Sequence, residues 1–183
     1  MNPPALDGMY WLEDEFLPDA GSLFASLANS MIWDTRIRAR KVASCGVPYN
    51  YSGIVWPESP MPPELLPVLE RVAAKVGFVP NNCLLNFYPD GRSTMGFHRD
   101  SVEELVPSTG IAVVSLGAER EIAFRSEADK SRVIRRLLTS GSLLYMTPDL
   151  QTDWKHAIEA TDASVGGRIS LTFRRLSEVR RAP

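Results

Sequence analysis

From Arg168 to Arg174 the chain alternates without a break. Ile169, Leu171 and Phe173 fall on one side, and Arg168, Ser170, Thr172 and Arg174 on the other, the period of two that marks a strand with unlike faces. A half-exposed surface strand has the same pattern, but this polar side carries two arginines rather than mixed charges. Similar short runs fill the C-terminal half: Cys83–Tyr88, Ile111–Leu116, Glu121–Phe124, Arg132–Leu138, Leu143–Met146, Trp154–Glu159 and Arg168–Leu176. Turn residues separate them, among them Pro89-Asp90-Gly91-Arg92, Thr139-Ser140-Gly141 and Val165-Gly166-Gly167. The N-terminal part differs. Met9–Leu17 reads as a short strand. Leu23, Phe24, Leu27 and Met31 fall at helical spacing behind Pro18-Asp19. A second helix runs from Pro62-Pro63-Glu64 to about Val76, with Leu65, Leu69, Val72 and Val76 on one stripe and Gly77 as its stop. Helices followed by many short strands predict a mainly β (α+β) domain, a jelly roll of two sheets with the helices packed on one of them.

At 183 residues the chain is expected to form one domain, 1–183. Residues 1–79 carry the helices and a covering segment, 80–176 the jelly roll, and 177–183 a tail. A net charge of −2 gives no global basic footprint but leaves room for a local patch. No apolar run approaches the length of a membrane span, and Met-Asn-Pro-Pro does not resemble the start of a secretory leader. A cytoplasmic, monomeric protein with both cysteines free is expected.

Candidate chemistry concentrates in Met95-Gly96-Phe97-His98-Arg99-Asp100. The chain has two histidines, and one stands here two positions before an acid. On an extended strand His98 and Asp100 share a face and can offer a nitrogen and an oxygen to one point. A third ligand has to come from elsewhere, and His156 is the other histidine. Two histidines and a carboxylate on one face of an ion are the pattern of non-haem Fe(II) oxygenases. The two arginines of the last strand suit an anionic co-substrate, since arginine binds carboxylates bidentately. Their Cα atoms lie roughly 20 Å apart at ~3.3 Å per residue, so they bracket a ligand rather than share one carboxylate. Arg36, Arg38, Arg40 and Lys41 precede an aromatic run, Tyr49-Asn50-Tyr51-Ser52-Gly53 to Trp56. If extended, Arg36, Arg38 and Arg40 share a face. The segment then fits either a grip on a phosphate backbone and an unstacked base or a solvated strand edge.

With these residues in view, the chain resembles the AlkB family of Fe(II)- and 2-oxoglutarate-dependent dioxygenases. The likeness runs from about Pro80 to Leu176. It is carried in order by Pro80-Asn81, Asn86-Phe87-Tyr88, Gly91, Met95–Asp100, Val114-Ser115-Leu116-Gly117, Gly141–Met146, Trp154-Lys155-His156 and Arg168–Arg174. The resemblance implies a double-stranded β-helix with a substrate lid, using Fe(II), 2-oxoglutarate and O2. It implies that His98, Asp100 and His156 hold the iron. Arg168 would pair with the far carboxylate of 2-oxoglutarate, helped by Tyr88, with Asn86 and Arg174 nearer the keto-acid end and the metal. Oxidation of an N-methyl group would release formaldehyde, with succinate and CO2 from the co-substrate.

Two departures bear on this. Ser170 stands where the family often has asparagine; it can still donate to the co-substrate. Val102 stands where repair members often have an acid that reads a base's exocyclic amine, and valine cannot accept that bond; either Glu103 or Glu104 just beyond replaces it, or the substrate is not an alkylated adenine or cytosine. The lid would grip nucleic acid, single-stranded or with a flipped base, through Arg38, Arg40, Tyr49 and Tyr51. Arg125, just after a strand, is a further candidate for phosphate. Demethylation of N-alkylated bases is the function expected, and hydroxylation of a protein side chain or metabolite the alternative. A binding module that has lost its chemistry is disfavoured, because the ligand set is complete.

Overall fold

The computed structural model describes residues 6–51 and 53–177. Ser52 of the lid motif and most of the 177–183 tail lie outside them. Twelve strands and three α-helices follow in the order β1 (Tyr10–Glu13), α1 (Ala20–Ser30), β2 (Lys41–Gly46), β3 (Tyr49–Tyr51), β4 (Ile54–Trp56), α2 (Leu66–Val76), β5 (Asn82–Tyr88), β6 (Met95–His98), β7 (Ile111–Gly117), β8 (Arg120–Ser126), β9 (Val133–Leu138), β10 (Leu143–Met146), α3 (Leu150–Asp153), β11 (Trp154–Ile158) and β12 (Arg168–Arg174). A six-stranded sheet runs β1-β10-β7-β12-β5-β2 and a four-stranded sheet β6-β11-β8-β9, with β3 and β4 as a separate hairpin. The pairings are antiparallel. This is the expected jelly roll.

The period of two divides the core. Ile169, Leu171 and Phe173 of β12 join Cys83 and Leu85 of β5 and Ala112, Val114 and Leu116 of β7, packed with Leu27 of α1 and Val68 and Val72 of α2. Leu84, Tyr88, Val113, Ile122, Phe124, Met146, Trp154 and Ile158 form a second cluster from residues of both sheets. Each central strand of the larger sheet is therefore buried on both faces. The half-exposed alternative for Arg168–Arg174 fails, since all seven residues of β12 are buried. α2 is entered by a single 3₁₀ turn at Pro63–Leu65 and stops at Gly77, whose left-handed φ of 80° lets its N–H reach the Ala73 carbonyl.

Some expectations change. Strands follow α2 as expected, but three more, β2 to β4, separate α1 from α2, and a short α3 interrupts the later run. The segment Arg36–Arg40 is bend and turn: Asp34 holds the Arg36 Nε at 2.7 Å and its backbone N–H at 2.8 Å. Arg36, Arg38 and Arg40 consequently share no face. β6 ends at His98, so Asp100 lies just past the strand. Arg125 lies inside β8 rather than after it, because the strand continues to Ser126, which pairs with Trp154 of β11. Cys45 and Cys83 are both free and buried. Among the described residues no helix is long and apolar enough to cross a membrane.

Candidate active site

A narrow cavity lies between the sheets, walled by β5, β7, β8, β11 and β12 and reached by Tyr51 of the hairpin. Apolar side chains line much of it, and Arg168, Ser170, Thr172 and Arg174 run along one wall. The polar face of β12 is thus the wall of an internal chamber.

Antiparallel pairing of β6 with β11 sets His98 directly opposite His156. Their rings are 4.2 Å apart, tilted by 56°. Asp100 completes the group: its two carboxylate oxygens lie 3.8 Å from the Nε2 atoms of His98 and His156, and one donor atom from each residue falls within 4.8 Å of the others. The Gly96 carbonyl lies 2.9 Å from His98 Nδ1. A proton on that nitrogen leaves the Nε2 lone pair free for a metal. Burial and the neighbouring His98 push the His156 pKa down to about 3, so its imidazole is neutral, the form that ligates. Two imidazoles and one carboxylate, converging from one side, fit an Fe(II) ion with open positions opposite.

Asp100 keeps its charge although buried. Burial favours the neutral acid, but Arg174, His156 and His98 outweigh it and hold the carboxyl at about 2. Arg174 Nη2 donates to Asp100 Oδ1 at 3.0 Å. The backbone N–H of Asp100 donates to Oε1 of buried Gln151 at 3.0 Å. Gln151 sits on α3, which runs directly into the strand bearing His156. One amide thereby ties together the chain segments of two prospective ligands. Nothing in the sequence marked this glutamine. Gln151→Leu is expected to weaken Mn(II) binding roughly tenfold or more, the effect of losing a group that orients a ligand. Titration followed by electron paramagnetic resonance measures it; unchanged affinity in a folded variant means Gln151 only packs.

At the other end of the wall Arg168 is almost wholly buried. Its Nη2 donates to Ser115 Oγ at 2.8 Å and its guanidinium lies 5.3 Å from the Tyr88 ring centre. Nε and Nη1 have no hydrogen-bond partner among the described residues. Burial lowers the Arg168 pKa, with Tyr88 acting against it. A buried guanidinium with two spare donors calls for a carboxylate, and 2-oxoglutarate provides one at each end. Ser115, which holds Arg168, was not singled out among the candidate residues; a lone hydroxyl in the apolar run Ile111–Leu116 was the available signal.

The other sequence candidates separate. Asn86 and Ser170 face each other across β5 and β12 and both line the cavity. Tyr49 and Tyr51 stack at 6.2 Å, and Arg174 lies 4.9 Å from the Tyr49 ring centre. Both tyrosines line an open depression together with His98 and Asp100. Arg38 is exposed. Arg40, expected beside it, points inward and is 7% exposed, because the turn at Arg36–Arg40 rotates it away. Arg125 stacks on Phe97 at 3.9 Å. Val102 is partly exposed.

Residues 27–174 match the 2OG-Fe(II) oxygenase superfamily. The chain is 36% identical over 138 residues to the DNA oxidative demethylase ALKBH2 of Mus musculus, covering 72% of this chain and 58% of that one. It is 31% identical over 140 residues to the alpha-ketoglutarate-dependent dioxygenase alkB homolog 3 of Rattus norvegicus, covering 70% and 46%. The aligned part thus spans only 50% to 58% of the mammalian ALKBH2 proteins. The solved structure of OsALKBH1 shares the fold, with a TM-score of 0.66 at 18% identity, over 94% of this chain and all of that one.

Proposed function

The chain belongs to the AlkB family of the 2OG-Fe(II) oxygenase superfamily, and from that premise we propose that it removes alkyl groups from N-alkylated bases in nucleic acid. Fe(II) with 2-oxoglutarate and O2, when bound, supplies the oxidation: the co-substrate becomes succinate and CO2, a C–H bond next to nitrogen is hydroxylated, and a methyl carbon leaves as formaldehyde. His98, Asp100 and His156 hold the metal. Arg168, oriented by Ser115 and Tyr88, takes the far carboxylate of the co-substrate. Asn86, Ser170 and Arg174 act nearer the keto-acid end, and Arg174 also keeps Asp100 ionised. The apolar walls exclude water. Tyr51 offers a face beside the metal mouth to an unstacked base, with Tyr49, buried at 3% exposure, stacked behind it rather than open to substrate as expected; Arg38 and Arg125 are candidates for phosphate contacts.

The observation that carries the oxygenase reading is the buried Arg168, with donors to spare, in the same chamber as the His98–Asp100–His156 group. The tyrosine-lined mouth, together with relatives named as DNA oxidative demethylases, supports nucleic acid as substrate. Val102 favours a second reading, hydroxylation of a protein side chain or metabolite, since it offers no acceptor for a base amine. Fe(II)- and 2-oxoglutarate-loaded protein is expected to release formaldehyde from methylated single-stranded DNA or RNA, in step with succinate. Succinate without formaldehyde on every oligonucleotide would move the assignment to the second reading.

A further inference from the structure

Arg40 sits where a phosphate-gripping arginine is expected, yet each of its three nitrogens already donates to a protein acceptor. Nε donates to Asn86 Oδ1 at 2.8 Å, Nη2 to the Tyr51 hydroxyl at 2.6 Å, and Nη1 to the Thr94 carbonyl at 3.3 Å. Among the described residues no carboxylate forms an ion pair with it. A phosphate outside could be reached only by breaking this set and leaving buried acceptors unmet.

The three acceptors belong to three different working parts. Asn86 stands in the cavity wall opposite Ser170. Tyr51 is at the end of the hairpin strand beside the metal mouth. Thr94 immediately precedes the strand that ends in His98, and its own N–H donates to the Ala39 carbonyl at 3.1 Å. A guanidinium is planar and presents its donors in a rigid fork, so Asn86 and Tyr51 cannot shift independently while Arg40 holds both. Asn86 also gains a defined orientation. With Oδ1 taken by Arg40, its NH2 is the group left to donate to a ligand in the cavity.

We propose that Arg40 is a latch, a positioning residue that joins the tyrosine lid to the co-substrate wall, so that each ligand strengthens the binding of the other. This rests on the function proposed above. Co-substrate fixing Asn86 would pre-set Tyr51 for the base, and a base under Tyr51 would return the same factor to the co-substrate, as linkage requires.

The test uses full-length protein loaded with Mn(II). Calorimetry gives the 2-oxoglutarate Kd with and without saturating methylated single-stranded oligonucleotide, in wild type, Arg40→Lys, Arg40→Met and Tyr51→Phe. In wild type the oligonucleotide is expected to tighten 2-oxoglutarate about tenfold, within the usual range for coupled sites. In both Arg40 variants that factor should fall towards one, and 2-oxoglutarate alone should bind several-fold more weakly, because Asn86 is released. Lysine keeps the charge but not the fork, so it does not rescue. Tyr51→Phe keeps the ring and the fold. It should abolish the coupling while weakening 2-oxoglutarate alone less than either Arg40 variant does, an ordering that loss of general stability does not produce.

A phosphate grip has the opposite signature. There the slope of log Kd against log salt for the oligonucleotide would fall by about 0.7 in Arg40→Met, with coupling intact, and the latch would be overturned. Unchanged 2-oxoglutarate affinity in both Arg40 variants would overturn it equally. If wild type binds no oligonucleotide, the nucleic-acid reading fails, and the 2-oxoglutarate measurements alone still decide whether Arg40 holds Asn86.

Discussion

His98→Ala is expected to abolish Fe(II)-dependent succinate formation while the protein stays folded. His98 is the cleanest of the three prospective ligands to remove. Its side chain is partly exposed, and its one hydrogen-bonded partner among the described residues, the carbonyl of exposed Gly96, has water as a substitute. Asp100 would be a poorer choice, because its loss also strands the buried Arg174. A metal centre contributes several kcal/mol at the least, and each 1.36 kcal/mol is a factor of ten. The turnover rate should therefore fall by at least about 10³. Mn(II) affinity should fall with it, while the melting temperature of the metal-free protein stays near wild type. Wild-type turnover in this variant would remove His98 from the metal site.

Arg174→Met is expected to destabilise the metal-free protein by about 3–5 kcal/mol, the usual cost of leaving one member of a buried ion pair alone. Arg174 and Asp100 are both almost completely buried, so little solvent is at hand to replace the guanidinium. The pH dependence gives the sign. In wild type the Asp100 carboxyl sits at about 2, below its ordinary 3.8. A depressed acid adds stability that is present in full above the unfolded value, here on the order of 2 kcal/mol, and is lost as pH falls through 2. Without Arg174, burial is less opposed and the carboxyl pKa rises, so the charge held at neutral pH becomes a liability. The deficit of the variant, read from urea midpoints, should be largest near pH 7 and shrink towards pH 3. An equal deficit at both pH values would mean that Arg174 stabilises by packing alone.

The parts of the fold legible in the sequence are those whose signal is local. Leu23, Phe24, Leu27 and Met31 announce a helix by their spacing, and Pro63 and Gly77 bracket the next one. The strands of the C-terminal half alternate or run apolar over a few residues, and most observed boundaries fall within one or two positions of those expected. The N-terminal strands were harder to see. Lys41–Gly46 follows directly on a cation run that reads as one extended segment, whereas the chain turns between Arg36 and Arg40 before the strand begins. That turn gives Arg38 to solvent and Arg40 to the interior. Neither outcome is written in the residue types, since both are arginines.

The candidate donor set drew notice for a related reason. The sequence has two histidines, one of them two positions before Asp100, and their chemistry depends on type before place. Gln151 was not legible. Glutamine is unremarkable in a loop, and it matters only because one turn of helix brings its amide to the backbone of Asp100.

By itself, then, the sequence determined the kinds of groups available and the two faces of each strand, because side-chain direction in an extended chain repeats every two residues. It placed Arg168, Ser170, Thr172 and Arg174 together on one face before any partner was known. The tertiary structure alone decided what that face meets. It closed the chamber with a second sheet, set His98 opposite His156 through the register of β6 and β11, and turned Arg40 inward onto Asn86 and Tyr51. Register and turn direction rest on packing between segments far apart in the chain, so no local pattern carries them.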